Sequence, residues 1–176
     1  MDLTETDLRA AIKALSDVVA PAVDPKDALA TEQLRLVVEY LRFLRQRVDL
    51  LHQRDRTELQ HQLEMARALR KLEAPCSDGL RAALQGASEV GEQRFNDAAA
   101  TGAQLKAACA ALAAAVRDGT REANDWPAPA RDRWERCVLY ASAARVAFEQ
   151  AWYLPLGFEP APAEVPALDS LLARPA

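Results

Sequence analysis

Glycine and proline, the two residues that most often end helices, are missing from the whole stretch between Pro25 and Pro75. In a helix interior they cost about 1 and about 3 kcal/mol, so these 49 residues contain no conventional helix breaker. A helix over most of the span would be about 65 Å long at about 1.5 Å per residue. The mean globular helix has only about 11–12 residues. A rod of that length must lay its apolar stripe against other helices or another chain.

Other shortages narrow the class further. Aromatic residues are 6% of the chain, and β-branched residues are sparse, which argues against a sheet of any size. The three cysteines, Cys76, Cys109 and Cys137, show no CxxC and no Cys/His spacing. An odd, widely spaced set fits free thiols in a reducing cytoplasm. Long hydrophobic runs are absent too. The longest, Ala107 to Val116, is ten mostly alanine residues, too short to cross a bilayer. The acidic start MDLTETDLRAA lacks the apolar centre of a signal peptide. The expectation is a cytoplasmic protein without a membrane partner. A net charge of −4 supplies no concentrated positive field, so nucleic acid is not an expected partner either. Arginine outnumbers lysine 18 to 4, which reads as the base composition of a GC-rich bacterial genome.

What is present is alanine, 37 of 176 residues. Alanine favours helix and buries little area, so the composition reads as closely packed helices. Thr4 to Asp7 has the form of a capping box, followed by Leu8, Ile12, Leu15 and Val19 at helical spacing. Pro21 closes this first helix, and Asp24-Pro25 or Thr31-Glu32 offers a start for the long one. The long helix carries Leu34, Val37, Leu41, Leu44, Val48 and Leu51, then Met65, Leu69 and Leu72, on one seam. After a break at residues 75–78, capped by Ser77 or Asp78, a third helix reads from Gly79 to Asp118 and ends at Gly119. Gly86, Gly91 and Gly102 lower its propensity, and small residues on a seam let backbones approach. A fourth helix spans Ala130 to Leu154, and the proline- and alanine-rich tail after it is extended, with one closing turn near Asp169 to Leu172.

These lengths give an all-α fold: a long antiparallel helical hairpin, completed to a four-helix bundle at one end by two shorter helices. Residues 1–154 form one helical domain and 155–176 a tail. The bundle lies around residues 30–50 and 99–118. The rest of the hairpin, Asp55 to Phe95, projects as an arm rich in leucine that a second copy or another protein must cover.

Candidate chemistry is thin. The seam breaks at Asp55, Glu58 and Gln62. With the hairpin turning at residue 75, Asp55 and Glu58 face Glu92, Arg94 and Asn96, so a polar layer with an ion pair to Arg94 is expected. Glu58-Leu59-Gln60-His61 is a Glu-x-x-His, which puts both side chains on one helix face as in ferritin-like carboxylate-bridged metal bundles. Glu89 and Glu92 would add carboxylates, but only His52 and His61 exist and the second Glu-x-x-His is missing. There is no GxSxG, no phosphate-cradling glycine loop and no Cys-His pair that the sequence can bring together. Cys76 is read as an incidental thiol exposed at the hairpin tip. Arg42, Arg45, Arg47, Arg54 and Arg56 interleave with Glu39, Asp49, Asp55 and Glu58, which reads as a solvated, salt-bridged face.

Seven of the ten aromatic residues lie between Trp126 and Phe158. They read first as the core anchor of the fourth helix, and second as a pocket or partner surface, since tryptophan and tyrosine are enriched at binding hot spots. The contact candidates are Trp126, Trp134, Trp152, Tyr153 and Phe158, with the run Trp152 to Phe158 hard to bury completely.

One stretch has a likeness elsewhere. Val18-Val19-Ala20-Pro21-Ala22-Val23-Asp24-Pro25, leading into Leu29-Ala30-Thr31-Glu32-Gln33-Leu34-Arg35-Leu36-Val37-Val38, resembles small helical modules found beside or fused to aminoglycoside-phosphotransferase-like kinases and acyl-CoA dehydrogenases. The resemblance covers residues 8–45 and includes no catalytic motif. It implies an accessory partner of an acyl-CoA or small-molecule kinase system. Together these features describe a non-enzymatic interaction, scaffold or accessory protein, a homodimer without a cofactor. The alternatives are a ferritin-like metal protein and a small-molecule or acyl-CoA binding module with its pocket among Trp126, Trp134 and Trp152.

Overall fold

The computed structural model describes residues 4–172, which are helical with no strand among them. The all-α expectation holds. The single long rod does not form: residues 28–47 and 51–70 are separate helices joined by a 3-10 turn, Val48–Leu50. At the junction Arg47 has φ −114° and ψ −14°, off the ideal helix. The second rod divides as well. Residues 78–96 and 102–122 are two helices with an elbow at 97–101. The chain sorts into two compact units, residues 1–51 with 153–162 and residues 52–152 with 163–176. This division crosses the 1–154 boundary expected for one domain. Residues 30–50 and 99–118, expected at one bundle end, fall in different units.

The first unit contains α1 (Thr4–Ala14) and α2 (Ala28–Arg47). From α1 the chain passes through a π-helical turn, Leu15–Val19, and a 3-10 turn, Ala20–Ala22, where Pro21 lies. The cap of α2 is neither of the two expected starts. Asp27 accepts from the Ala30 N–H at 2.9 Å, while Asp24 accepts from the Lys26 N–H at 2.9 Å in the turn before it. Ile12, Val38 and Phe43 are buried, and Tyr153 stacks on Phe43 with ring centroids 5.7 Å apart. The segment after Tyr153 is not simply extended: Leu154–Leu156 make a 3-10 turn closed by Gly157 at φ 77°, a left-handed position that suits glycine.

The second unit holds α3 (Leu51–Arg70), α4 (Asp78–Asn96), α5 (Gly102–Glu122) and nearly all of α6 (Ala128–Tyr153), with the short α7 (Leu168–Leu171). The region expected to stand out as a bare arm is the core of this unit. Leu59, Leu63, Met65, Ala66, Leu69, Leu80 and Leu84 are all buried. They are covered because the elbow returns α5 alongside α3 and α4, bringing Leu105, Ala108 and Leu112 against Leu59 and Leu63. Around the other end, Met65, Leu69, Leu80, Val116, Trp126 and Trp134 share a second cluster. Ser77 caps α4 by accepting from the Leu80 N–H at 3.1 Å. Its own N–H and hydroxyl donate to Glu122 at the end of α5, each at 2.6 Å. These bonds hold the Glu122 carboxyl below its ordinary range.

Two glycines mark close approaches. A Cβ on Gly119 would lie 2.7 Å from Trp134 Cη2 and 3.3 Å from Leu80 Cδ2. At Gly91 it would lie 2.9 Å from Leu63 Cδ2 and 3.2 Å from Leu112 Cδ1. Gly86 meets nothing within 4 Å. Gly119→Ala is therefore expected to lower the unfolding free energy by about 1–3 kcal/mol through overpacking against the rigid indole. Gly86→Ala, on the same hairpin, should raise it by about 0.5–1 kcal/mol through helix propensity. Urea denaturation followed by circular dichroism measures both.

Candidate functional site

The seam fault in α3 is real and buried. Asp55, Arg56, Thr57 and Gln62 are all buried, as is Ser88 on α4. Arg94 is not the partner of this layer, because it turns to Asp97 at 4.0 Å. The first turns of α3 instead bind the elbow between α4 and α5. Arg56 donates from Nη2 to the Phe95 carbonyl at 2.6 Å and from Nη1 to the Asp97 carbonyl at 3.5 Å. Its guanidinium lies 4.9 Å from the centre of the Phe95 ring. A buried cation is thus placed on the carbonyl end of α4, where the helix dipole is negative. His52 Nε2 lies 3.0 Å from the Ala100 carbonyl. Asp55 is paired to Lys106 Nζ of α5 at 3.5 Å and lies where a Cβ on Gly102 would fall 2.7 Å from its Oδ2. Burial raises the Asp55 carboxyl above its ordinary range, and Lys106 opposes that shift.

The elbow has its own local chemistry. The Asp97 side chain accepts from the Ala99 N–H at 2.9 Å. Thr101 and Gln104 form a full capping box for α5. Thr101 and Gln104 stand at capping-box spacing in the sequence, so this start was open to detection.

A second polar group joins α3 to α6. Glu58 accepts from Arg54 Nε at 2.9 Å, and Arg54 Nη2 reaches Glu149 at 3.4 Å. The Arg54 guanidinium lies 4.8 Å from the centre of the buried Trp152 ring. His61 meets the edge of Phe148 at 5.9 Å between ring centroids. Its Nδ1 is buried without a hydrogen-bond partner among the described residues. Burial lowers the His61 pKa from its ordinary value. The Cys109 thiol is pushed up to about 12, first by burial and then by the carboxylates of Glu58 and Asp55.

The proposed metal ligands are not brought together. Glu58 is held by Arg54, and Glu92 pairs with Arg67 at 3.2 Å. Glu89 is exposed and accepts from Gln85. No group of three potential ligands that could hold a metal occurs among the described residues. Arg54 and Arg56 leave the expected solvated face, being half-buried and buried. Cys76 is half-buried, packed like Leu72 and Ala74 against the cluster that holds Trp126 and Trp134, rather than exposed at a tip. Burial raises its thiol pKa, helped by Glu122, which leaves little reactive thiolate.

The aromatic candidates separate into two groups. Trp126, Trp134 and Trp152 are core residues, at most 8% exposed. Trp126 packs edge-on to Trp134, with centroids 5.5 Å apart, and Trp134 Nε1 donates to Thr120 Oγ1 at 3.1 Å. Trp152 packs instead with Phe148, 6.1 Å between centroids. The three tryptophans, named as an alternative pocket lining, are thus not one group: Trp126 and Trp134 share a cluster that Trp152 does not join. Tyr153 and Phe158 do remain exposed, at 40% and 80%. The surface that sequence reading missed is on α6: Leu139, Tyr140 and Val146 are 70%, 75% and 56% exposed. Leu139, Ala143 and Val146 follow a 4-3 spacing that could have flagged it.

Replacing Arg56 by alanine should lower the unfolding free energy by about 1.5–3 kcal/mol, the range for hydrogen bonds made by a charged group. Arg94→Ala, at an exposed pair, should change it by less than about 1 kcal/mol. Urea unfolding of the two variants checks the ranking. Because His61 is harder to protonate in the folded chain, the unfolded chain takes up its proton first as pH falls. Its contribution to stability is therefore full above about pH 6.5 and declines below it, toward the lower folded pKa. Urea midpoints measured across that range should show this acid loss in the wild type, and His61→Gln should reduce it.

No protein-family model matches the chain, and it matches no curated protein in sequence and no solved structure in fold.

Proposed function

We propose that the protein acts without catalysis, as a helical interaction or accessory subunit that self-associates through the outer face of α6. The observation that carries this reading is the exposure of Leu139, Tyr140 and Val146 on a helix whose other side already buries Trp134, Phe148, Ala151 and Trp152. A helix apolar on both sides is suited to contacts on both. Ala143 stands between Leu139 and Val146, and a small residue there would let two helix backbones come close. In an antiparallel pair with Ala143 near the two-fold axis, Leu139 of one copy would meet Val146 of the other. Such a patch is self-complementary, as a two-fold dimer requires. Exposed Tyr153 and Phe158 offer contact surface for a further protein partner.

Light scattering of the wild-type chain should give the mass of a dimer. The double variant Leu139→Glu/Val146→Glu should give a monomer with unchanged helix content by circular dichroism. A wild-type mass that stays monomeric as concentration rises would overturn the reading.

A further inference from the structure

The two halves of α6 are seated differently. In the first half Trp134 lies in the cluster with Trp126 and Leu80, and Cys137, Val138 and Ala141 pack against it. Farther along, Phe148, Ala151 and Trp152 are buried but belong to neither of the two clusters that hold the leucines of α3, α4 and α5. The α3 side chains that reach this second half are polar. Arg54 meets Glu149 at 3.4 Å and lies over the Trp152 ring, and His61 meets Phe148.

His61 is the group at this seat whose charge changes near neutral pH. Its Nδ1 is enclosed with no hydrogen-bond partner among the described residues. In an imidazolium both nitrogens are donors, so Nδ1 would become a charged donor without an acceptor. The surrounding groups do not supply one. On α3, Glu58 is held by Arg54 and Glu64 accepts from Gln60. On α6, Glu149 is tied to Arg54, and Arg145 repels a charged ring. On α5, Cys109 has Glu58 and Arg145 as neighbours, and its thiol, pushed up to about 12, stays uncharged. Burial, with Arg145 adding to it, therefore outweighs the attraction of Glu64 and Glu58.

We infer that His61 is an acid-sensitive latch, whose protonation releases residues 145–152 of α6 from α3 while both leucine clusters stay folded. Release of Phe148 and Trp152 dismantles neither cluster, so the opening is local. It carries the imidazole into water, where its charge is solvated. The open form takes up the proton at the higher pH, so opening is favoured as pH falls through the ordinary histidine range, about 6.5. Phe148 and Trp152 are then presented as an aromatic surface. The latch uses the inner side of α6 and needs no second copy of the chain.

Hydrogen exchange of the full chain, read by mass spectrometry at about pH 7.5 and about pH 5.5, brackets the ordinary histidine value and tests the inference. With rates corrected for the intrinsic pH dependence of exchange, peptides spanning 145–152 should lose protection at the lower pH. Those spanning 80–95 and 105–116 should keep theirs. His61→Gln, and His61→Leu as a second uncharged replacement, should hold the protection of 145–152 equal at both pH values. Arg145→Gln, at an exposed position, should show a smaller loss than wild type, because the repelling charge is gone. Protection of 145–152 that does not change with pH would overturn the inference. So would a loss that persists in the His61 variants, or one shared equally by 80–95 and 105–116, which is unfolding of the whole unit. A loss that appears only with a fall in mass by light scattering would overturn it as well, because separation of two copies would then expose the helix.

Discussion

Much of the second unit depends on one buried cation. Arg56 sets its guanidinium on the last carbonyls of α4 and over the Phe95 ring. The negative end of a helix dipole offsets part of the charge, and the carbonyls at 2.6 and 3.5 Å satisfy two of its nitrogens. With the end of α4 held in place, the chain can turn through residues 97–101 and send α5 back along α3. That return covers Leu59 and Leu63 with Leu105 and Leu112. Without it, half of the leucine seam of α3 would face water.

The opposite end of the unit depends on shape. Trp134 is fully buried, and its ring fits because residue 119 has no side chain. The indole N–H is satisfied by Thr120, one residue on. A large aromatic pressed into a glycine gap, edge-on to Trp126, gives a specific packing of the kind an alanine-rich core otherwise lacks. With Trp152 buried as well, beside Phe148, the three tryptophans leave little aromatic surface for a partner at those positions. The exposed apolar area is carried instead by Leu139, Tyr140 and Val146.

Much of this was legible from residues alone. The helical class followed from the missing breakers and the alanine content, and the Ser77 cap of α4 was one of two residues named for it. The position of the polar fault in α3 was also legible. Its partners were not: Asp55 pairs with Lys106 rather than Arg94, since the elbow places α5 beside α3. The 3-10 turn at Val48–Leu50 contains neither glycine nor proline, so a search for helix breakers passes over it. The Glu-x-x-His at Glu58 and His61 illustrates the same limit. Spacing put the two side chains on one face, but Arg54 took the glutamate and Phe148 took the imidazole.

The sequence by itself determined that the chain is helical, because propensity and the absence of breakers act within a few residues of each other. It also determined where polar residues interrupt an apolar seam. Tertiary structure alone decided which helices cover that seam, how the chain divides into two units, and which aromatics are buried. Those outcomes depend on contacts between residues well beyond a helical turn or two apart in sequence, such as Arg56 with Phe95 and Gly119 with Trp134. A period of three or four residues carries no information about such distant partners.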